Sequence, residues 1–201
     1  SGKRLTVNAV MASCCLPQLF QAPETNGKTY WDGGYSSNPA LQPLIEMGET
    51  DDILLVQINP LRRRGTPAAV ADIAARVDDL TFNASLIAQM RTIGLVNDLV
   101  DSGAAQPGLR RIRMHRIGGD GVLDELAPAS KTTPEPQTVE RLFELGRQAA
   151  NRWLKKHLAS VGEKGTVNIR RDYGDPLRLD FGTPESDGED GADDAEGAAP
   201  G

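Results

Sequence analysis

Ile53-Leu54-Leu55-Val56-Gln57-Ile58 is a nearly unbroken aliphatic run, closed off by Asp51-Asp52 before it and Asn59-Pro60 after it. Such a run suits a strand buried on both faces of a largely parallel sheet. Parallel strands need long crossover connections, usually helical. Pro67 to Val100 supplies one, with Val70, Ile73, Val77 and Leu80, then Phe82, Leu86, Ile87, Met90, Ile93 and Val96 in helical register, and with a break expected near Gly94. Arg110 to Ile117 reads as a second strand. After a loop rich in Thr and Pro, Gln137 to Leu158 reads as an amphipathic helix marked by Val139, Leu142, Phe143, Leu145, Ala149, Trp153 and Leu154. The order strand, helix, strand, helix predicts a layered α/β domain.

The N-terminal segment is organised differently. Thr6 to Leu16 reads as a short helix of small residues, with Val7, Val10, Met11 and Cys14 at helical spacing and Pro17 stopping it. A hairpin follows, turning at Asn26-Gly27, a two-residue pair that favours tight hairpin turns. It delivers Thr29-Tyr30-Trp31 into Asp32-Gly33-Gly34. An aspartate followed by two glycines marks a turn where the backbone can take positive φ and where another chain can approach closely. Such a carboxylate can be presented to a neighbouring hydroxyl, although a plain turn has the same composition.

The length of 201 residues suits one domain with a sizeable core. With 39% hydrophobic and only 4% aromatic residues, that core must be mostly aliphatic. The formal net charge of -6 is concentrated at one end. Asp175 to Gly201 holds nine acidic residues against Arg178 alone, a local -8 that leaves Ser1 to Gly174 at +2. Two regions are therefore expected: residues 1–174 as the folded part and 175–201 as an acidic, disordered tail too poor in large apolar residues to offset its ordering. This balance gives a nucleic-acid partner no support.

Cys14 and Cys15 are adjacent, cannot build a framework of loop-closing disulfides, and read as small buried apolar side chains in a reducing compartment. No run approaches the ~18–20 apolar residues that span a bilayer. Gly2-Lys3-Arg4 with Ala9 to Cys14 imitates a lipoprotein signal, but Thr6 and Asn8 interrupt the apolar part. The first residue is Ser1, not Met, which points to an internal starting point with any targeting signal upstream. No Cys, His, Asp or Glu cluster has metal-ligand spacing. His115 and His157 are each solitary and read as surface or internally satisfied side chains. Gly118-Gly119-Asp120-Gly121 reads as a turn, and Arg62-Arg63-Arg64 as a solvated loop that is also a candidate for attraction to anionic headgroups.

The stretch Tyr30-Trp31-Asp32-Gly33-Gly34-Tyr35-Ser36-Ser37-Asn38-Pro39-Ala40-Leu41, preceded by Ala12-Ser13-Cys14-Cys15-Leu16-Pro17 and Phe20, resembles the patatin-like phospholipase family, particularly its bacterial members. There a helix ending Ala-Ser-x-x-Leu-Pro precedes a hairpin and a Tyr-Trp-Asp-Gly-Gly-Tyr-x-x-Asn-Pro segment; here the pattern runs from Met11 to Leu44. A looser resemblance continues through Gln57-Ile58-Asn59-Pro60, Phe82 to Leu86, Met114 to Ile117, Ser130-Lys131, Gly146-Arg147 and Trp153-Leu154, covering roughly Ser1 to Tyr173.

The resemblance implies a three-layer α/β/α fold with a mostly parallel central sheet, present here as its C-terminal part only. It also implies lipid acyl-ester hydrolysis by a serine–aspartate dyad, with Asp32 as the base and Gly33 and Gly34 supporting its turn. The family's nucleophile sits in a G-x-S-x-G elbow, with a separate glycine-rich oxyanion loop. Neither motif occurs in this chain, and none of Ser13, Ser36, Ser37, Ser85, Ser102, Ser130, Ser160 and Ser186 has the flanking pair of glycines. Both parts are expected upstream, and this chain alone is expected to be inactive and to expose apolar sheet edges. The expected partner is a lipid ester substrate, with a membrane surface as one place to meet it. No cofactor, metal or nucleic acid is expected, and the location read is cytoplasmic or membrane-peripheral. Two other readings stay open: a non-catalytic lipid-binding or regulatory protein on the same scaffold, and an unrelated α/β interaction domain.

Overall fold

The computed structural model describes residues 5–61, 65–118 and 135–174. Arg62 to Arg64, Gly119 to Gly121, Ser130-Lys131 and the acidic tail lie outside the described residues.

Helix α1 spans Val7–Ser13, shorter than the sequence pattern suggested. Thr6 caps it, its hydroxyl accepting from the Ala9 N–H at 3.2 Å. Of its residues Ala12 alone is buried, while Cys15 just beyond is buried and Cys14 is exposed, so one of the two cysteines departs from the expected burial. Strands β1 (Glu24–Thr25) and β2 (Lys28–Thr29) form the expected antiparallel hairpin. Asn26 and Gly27 both take positive φ, 55° and 72°, as a tight turn of this hand requires.

The larger unit is a β-α-β arrangement. Strand β3 (Asp52–Gln57) pairs in parallel with β4 (Arg113–Gly118), in register from Asp52 opposite Arg113 to Gln57 opposite Gly118. Helix α3 (Val70–Asp101) makes the crossover as one continuous helix. The break expected at Gly94 is absent. That glycine serves close packing instead: a Cβ there would meet Ile169 Cγ2 at 3.0 Å. Ile169 opens the short helix α5 (Ile169–Tyr173), capped by Asn168 and packed on α3.

Ala75, Asp79, Asn83, Leu86, Met90, Ile93 and Asn97 form the buried stripe of α3, at steps of three and four residues. Leu86, Met90 and Ile93 of this stripe meet Leu55, Met114, Ile112, Tyr173 and Leu41 in the main core, the last from helix α2 (Leu41–Met47), an element without a clear signal in the sequence. Asn97 fixes the entry to β4, its side-chain amide exchanging two hydrogen bonds with the backbone of Ile112, at 2.9 and 2.8 Å.

Side chains alternate across a sheet, so Leu55 and Met114 face α3 while Leu54, His115 and Val56 face the other way. On that second face helix α4 (Pro136–His157) covers β4, with the Trp153 indole edge-on to His115 at 5.8 Å between ring centroids. It does not cover β3. Leu54 is 46% and Val56 63% exposed, which overturns burial of this strand on both faces within the described residues. The arrangement is α/β with a small parallel sheet; the wider central sheet implied by the resemblance is larger than the two strands seen here.

Candidate active site

Asp32 stands where the hairpin ends and a single 3-10 turn, Gly33–Tyr35, begins. Its carboxylate caps that turn, Oδ1 accepting from the Gly34 N–H at 2.8 Å, and its own N–H donates to the Cys15 carbonyl at 2.9 Å. Two further bonds tie the flanks to the loop after α1. Trp31 Nε1 donates to the Phe20 carbonyl at 3.2 Å, and the Tyr35 hydroxyl donates to Gln18 Oε1. The carboxylate is half-buried, and Gly34 N–H is its hydrogen-bond donor among the described residues.

The two glycines do different things. Neither has positive φ, so that part of the sequence expectation is not met. Around Gly33 a Cβ would meet nothing within 4 Å. A Cβ on Gly34 would lie 3.0 Å from Phe82 Cε1 and 3.1 Å from Asp32 Oδ1. Close approach is thus the requirement at Gly34, where Phe82 floors the turn and packs against Tyr35, the rings tilted with 5.1 Å between centroids.

From there α3 takes hold of the loop. Ser85 Oγ accepts from the Asn38 N–H at 3.0 Å, and Gln89 bonds the loop on both sides of Ala40, donating to the Pro39 carbonyl at 2.7 Å and accepting from the Leu41 N–H at 2.8 Å. Next to Phe82, Asn83 Nδ2 donates to the Pro60 carbonyl at 2.8 Å, just past the end of β3. Phe82, Ser85 and Gln89 share one stripe of the helix. Phe82 to Leu86 carry a signal in the sequence and Gln89 does not, because a polar residue at a helical position reads as solvent-facing.

None of the described serines bonds Asp32. Ser13 Oγ donates to the Val10 carbonyl, Ser36 Oγ to the Gly33 carbonyl, and Ser85 is occupied as above. The rim beside Asp32 is apolar, with Phe20 62% and Trp31 52% exposed. No group of three metal-binding side chains occurs among the described residues, nor a helix long and apolar enough to cross a membrane.

A second carboxylate site lies at the start of the sheet. Asp52 Oδ1 accepts from His115 Nε2 at 2.9 Å, Arg113 Nε at 3.1 Å and the Gly162 N–H at 3.1 Å, while Oδ2 accepts from Arg113 Nη2 at 2.7 Å. The Arg113 hydrogen bonds hold this carboxyl well below the usual carboxylate range against the opposing effect of burial, helped by His115 and Gly162. The other ring nitrogen, His115 Nδ1, lies 3.1 Å from Thr166 Oγ1. An Asp–His–Thr line suggests a nucleophile relay, but His115 is 1% exposed with both nitrogens engaged, and Asp52 is saturated with donors. Architecture is what this cluster does: His115 is internally satisfied, and the chain at 162–167 is pinned to β4. His157 stays half-buried beside Trp153, at 6.0 Å between centroids.

A third cluster sits near the opposite ends of the strands. The Tyr173 hydroxyl donates to Gln57 Oε1 at 3.1 Å and accepts from Arg116 Nη1 at 3.2 Å, with burial pushing the phenol's pKa up.

Comparison with known proteins bears on the first of these sites. No curated protein and no solved structure matches the chain. The family model described as patatin-like phospholipase matches residues 3–45, from the segment leading into α1 through the Asp32 turn and into α2. The similarity to a patatin-like phospholipase domain is thus confined to residues 3–45, the Asp32 turn among them.

Proposed function

We propose that this chain supplies the aspartate of a serine–aspartate dyad in a lipid acyl hydrolase, with Asp32 as general base and the nucleophilic serine and oxyanion donors contributed from outside these 201 residues. The observation that carries the reading is that Asp32 lies within the family-matched stretch and keeps acceptor capacity in hand. One oxygen is anchored by Gly34 N–H, and the other has no hydrogen-bond donor among the described residues. A base must hold a lone pair free for the proton it takes.

Two features support it. The helical turn carrying Phe82 and Asn83 touches both the Asp32 turn and the chain leaving β3, so Asp32 lies toward the carboxyl end of that strand, where open α/β sheets bind ligands. The exposed Phe20 and Trp31 offer apolar surface to an acyl chain. In the reaction, Asp32 takes the serine proton as Oγ adds to the ester carbonyl. The proton then passes to the departing alcohol, leaving an acyl-enzyme. Asp32 next removes a proton from water as it attacks that acyl group, and returns it to the serine as the fatty acid leaves.

The competing reading is a non-catalytic lipid-binding protein on the same scaffold, favoured by the absence of any G-x-S-x-G in the chain. Hydrolysis of p-nitrophenyl butyrate by the full-length protein separates the two. Activity is expected, and Asp32→Asn, which keeps an acceptor for Gly34 N–H, is expected to lower kcat by about 10²–10⁴. Unaltered turnover in that variant would remove Asp32 from the mechanism; an inert full-length protein that still binds lipid would favour the competing reading.

A further inference from the structure

We infer that Gln89 is a positioning residue for Asp32, acting through the loop of residues 38–41. The inference rests on the dyad reading above. Residues 38–40 run without regular secondary structure between the 3-10 turn and α2, so their backbone groups need partners from elsewhere. The Gln89 amide meets one of them and the first N–H of α2 at once, donating to the Pro39 carbonyl at 2.7 Å and accepting from the Leu41 N–H at 2.8 Å. It also donates to Ser85 Oγ at 3.0 Å, and that hydroxyl oxygen accepts from the Asn38 N–H at 3.0 Å. One side chain therefore organises three successive anchor points, Asn38, Pro39 and Leu41.

Those anchors set where Asp32 stands. Upstream, Asp32 is tied to Cys15 and Trp31 to Phe20, both on an N-terminal segment that packs mostly at the surface. Downstream, the loop meets α3, whose neighbouring stripe is buried in the main core. The rigid reference for the carboxylate is thus α3, and Phe82, Ser85 and Gln89 are its points of contact with the loop. An amide donates and accepts from two separate atoms, and glutamine has the reach to span both groups. Alanine leaves the Leu41 N–H without a partner and the Pro39 carbonyl with only the long 3.5 Å bond from Ser37 Oγ; a glutamate carboxylate keeps the acceptor and sets a charge against the Pro39 carbonyl. A protonated glutamate restores the donor.

The test uses the full-length protein and p-nitrophenyl butyrate, with Asp32→Asn as the reference. Gln89→Ala is expected to lower kcat by about 10- to 100-fold while KM stays within about twofold, the scale of a misplacement near 1 Å. Gln89→Glu is expected to show reduced kcat at neutral pH and to approach the wild-type pH profile as its carboxyl protonates toward pH ~5. Wild-type kcat in a folded Gln89→Ala, with Asp32→Asn inactive, would overturn the positioning role and leave the dyad standing. Should Gln89→Ala fail to fold, the isosteric Gln89→Glu decides: a pH profile parallel to wild type overturns the inference, and relative recovery in acid supports it. Full activity in Asp32→Asn would instead remove the dyad reading itself.

Discussion

Asp32 and Asp52 are both half-buried, one just beyond the hairpin and the other opening β3, and their carboxylates are held in opposite ways. Asp52 accepts four hydrogen bonds from Arg113, His115 and Gly162, and its carboxyl is held far on the ionised side. Asp32 accepts from the Gly34 N–H. A carboxylate surrounded by donors is spent on holding the fold together; one anchored by a single oxygen is oriented and still able to take a proton. Hydrogen-bond saturation separates Asp52 from the acid proposed for chemistry, although the sequence shows each only as an aspartate.

Exchanging each for asparagine gives the largest expected contrast. Asp32→Asn should lose about 10²–10⁴ in kcat with its melting temperature nearly unmoved. Asp52→Asn should behave inversely, because the new amide points a donor at Arg113 and loosens the hold on residues 162–167; a drop of about 5–10 °C is expected, with kcat retained in the folded protein. Enzyme kinetics and thermal melts on both variants check this. Equal profiles for the two would erase the distinction.

Acid sharpens the same contrast. The folded-state pKa of Asp52 lies below its ordinary 3.8, so its stabilisation is fully present above that value and is lost as pH falls below it through the depressed folded pKa. The gap in melting temperature between wild type and Asp52→Asn should stay constant from about pH 7 to about pH 5 and close only below about pH 4. A gap already closing near neutrality would mean that another group sustains the cluster.

How much of this could be read from the chain alone differs between the two sites for physical reasons. The Asn26-Gly27 hairpin was legible because both residues must take positive φ, a local requirement. A largely parallel sheet is legible from one aliphatic run, Ile53–Ile58, and a long helical pattern leading to a second strand in Arg110–Ile117; that the two strands pair directly is what the structure adds. Burial of β3 was misjudged because Leu54 and Val56 need a covering layer that composition cannot certify. Gly94 was misread as a breaker because the reason for it, Ile169, lies 75 residues away in sequence, by the two residue numbers. Helices α2 and α5 were passed over; with seven and five residues they are too short for periodicity to speak. Asp32 stood out through its motif, whereas the partners of His115, Asp52 and Thr166, come from distant segments with no local signal. Gln89 was invisible for the same reason.

Within the Asp32 site, Gly34→Ala tests whether the approach to α3 controls the carboxylate. The added Cβ would press on Phe82 Cε1 at 3.0 Å and on Asp32 Oδ1 at 3.1 Å. The turn should lift away from the helix, lowering kcat by about 10-fold. Since Phe82 meets it with the end of a side chain, adding Phe82→Leu should return part of that loss, a non-additivity expected of touching residues. Strictly additive losses would place the damage in the turn's own backbone.

The smallest effect separates the two ends of the loop. Gly27 lies at the hairpin tip with φ of +72° and open space around it, so Gly27→Ala introduces backbone strain without a clash. About 1 kcal/mol of stability should be lost, seen as a modest fall in melting temperature. If α3 is the reference against which Asp32 is held, kcat should stay within about twofold, because a softened hairpin moves the side of the loop that does not set the carboxylate. A loss of kcat matching that of Gly34→Ala would transfer the positioning role to the hairpin. Asp32 would then be aimed from its N-terminal side, with Ser85 and Gln89 serving only to satisfy the backbone they touch.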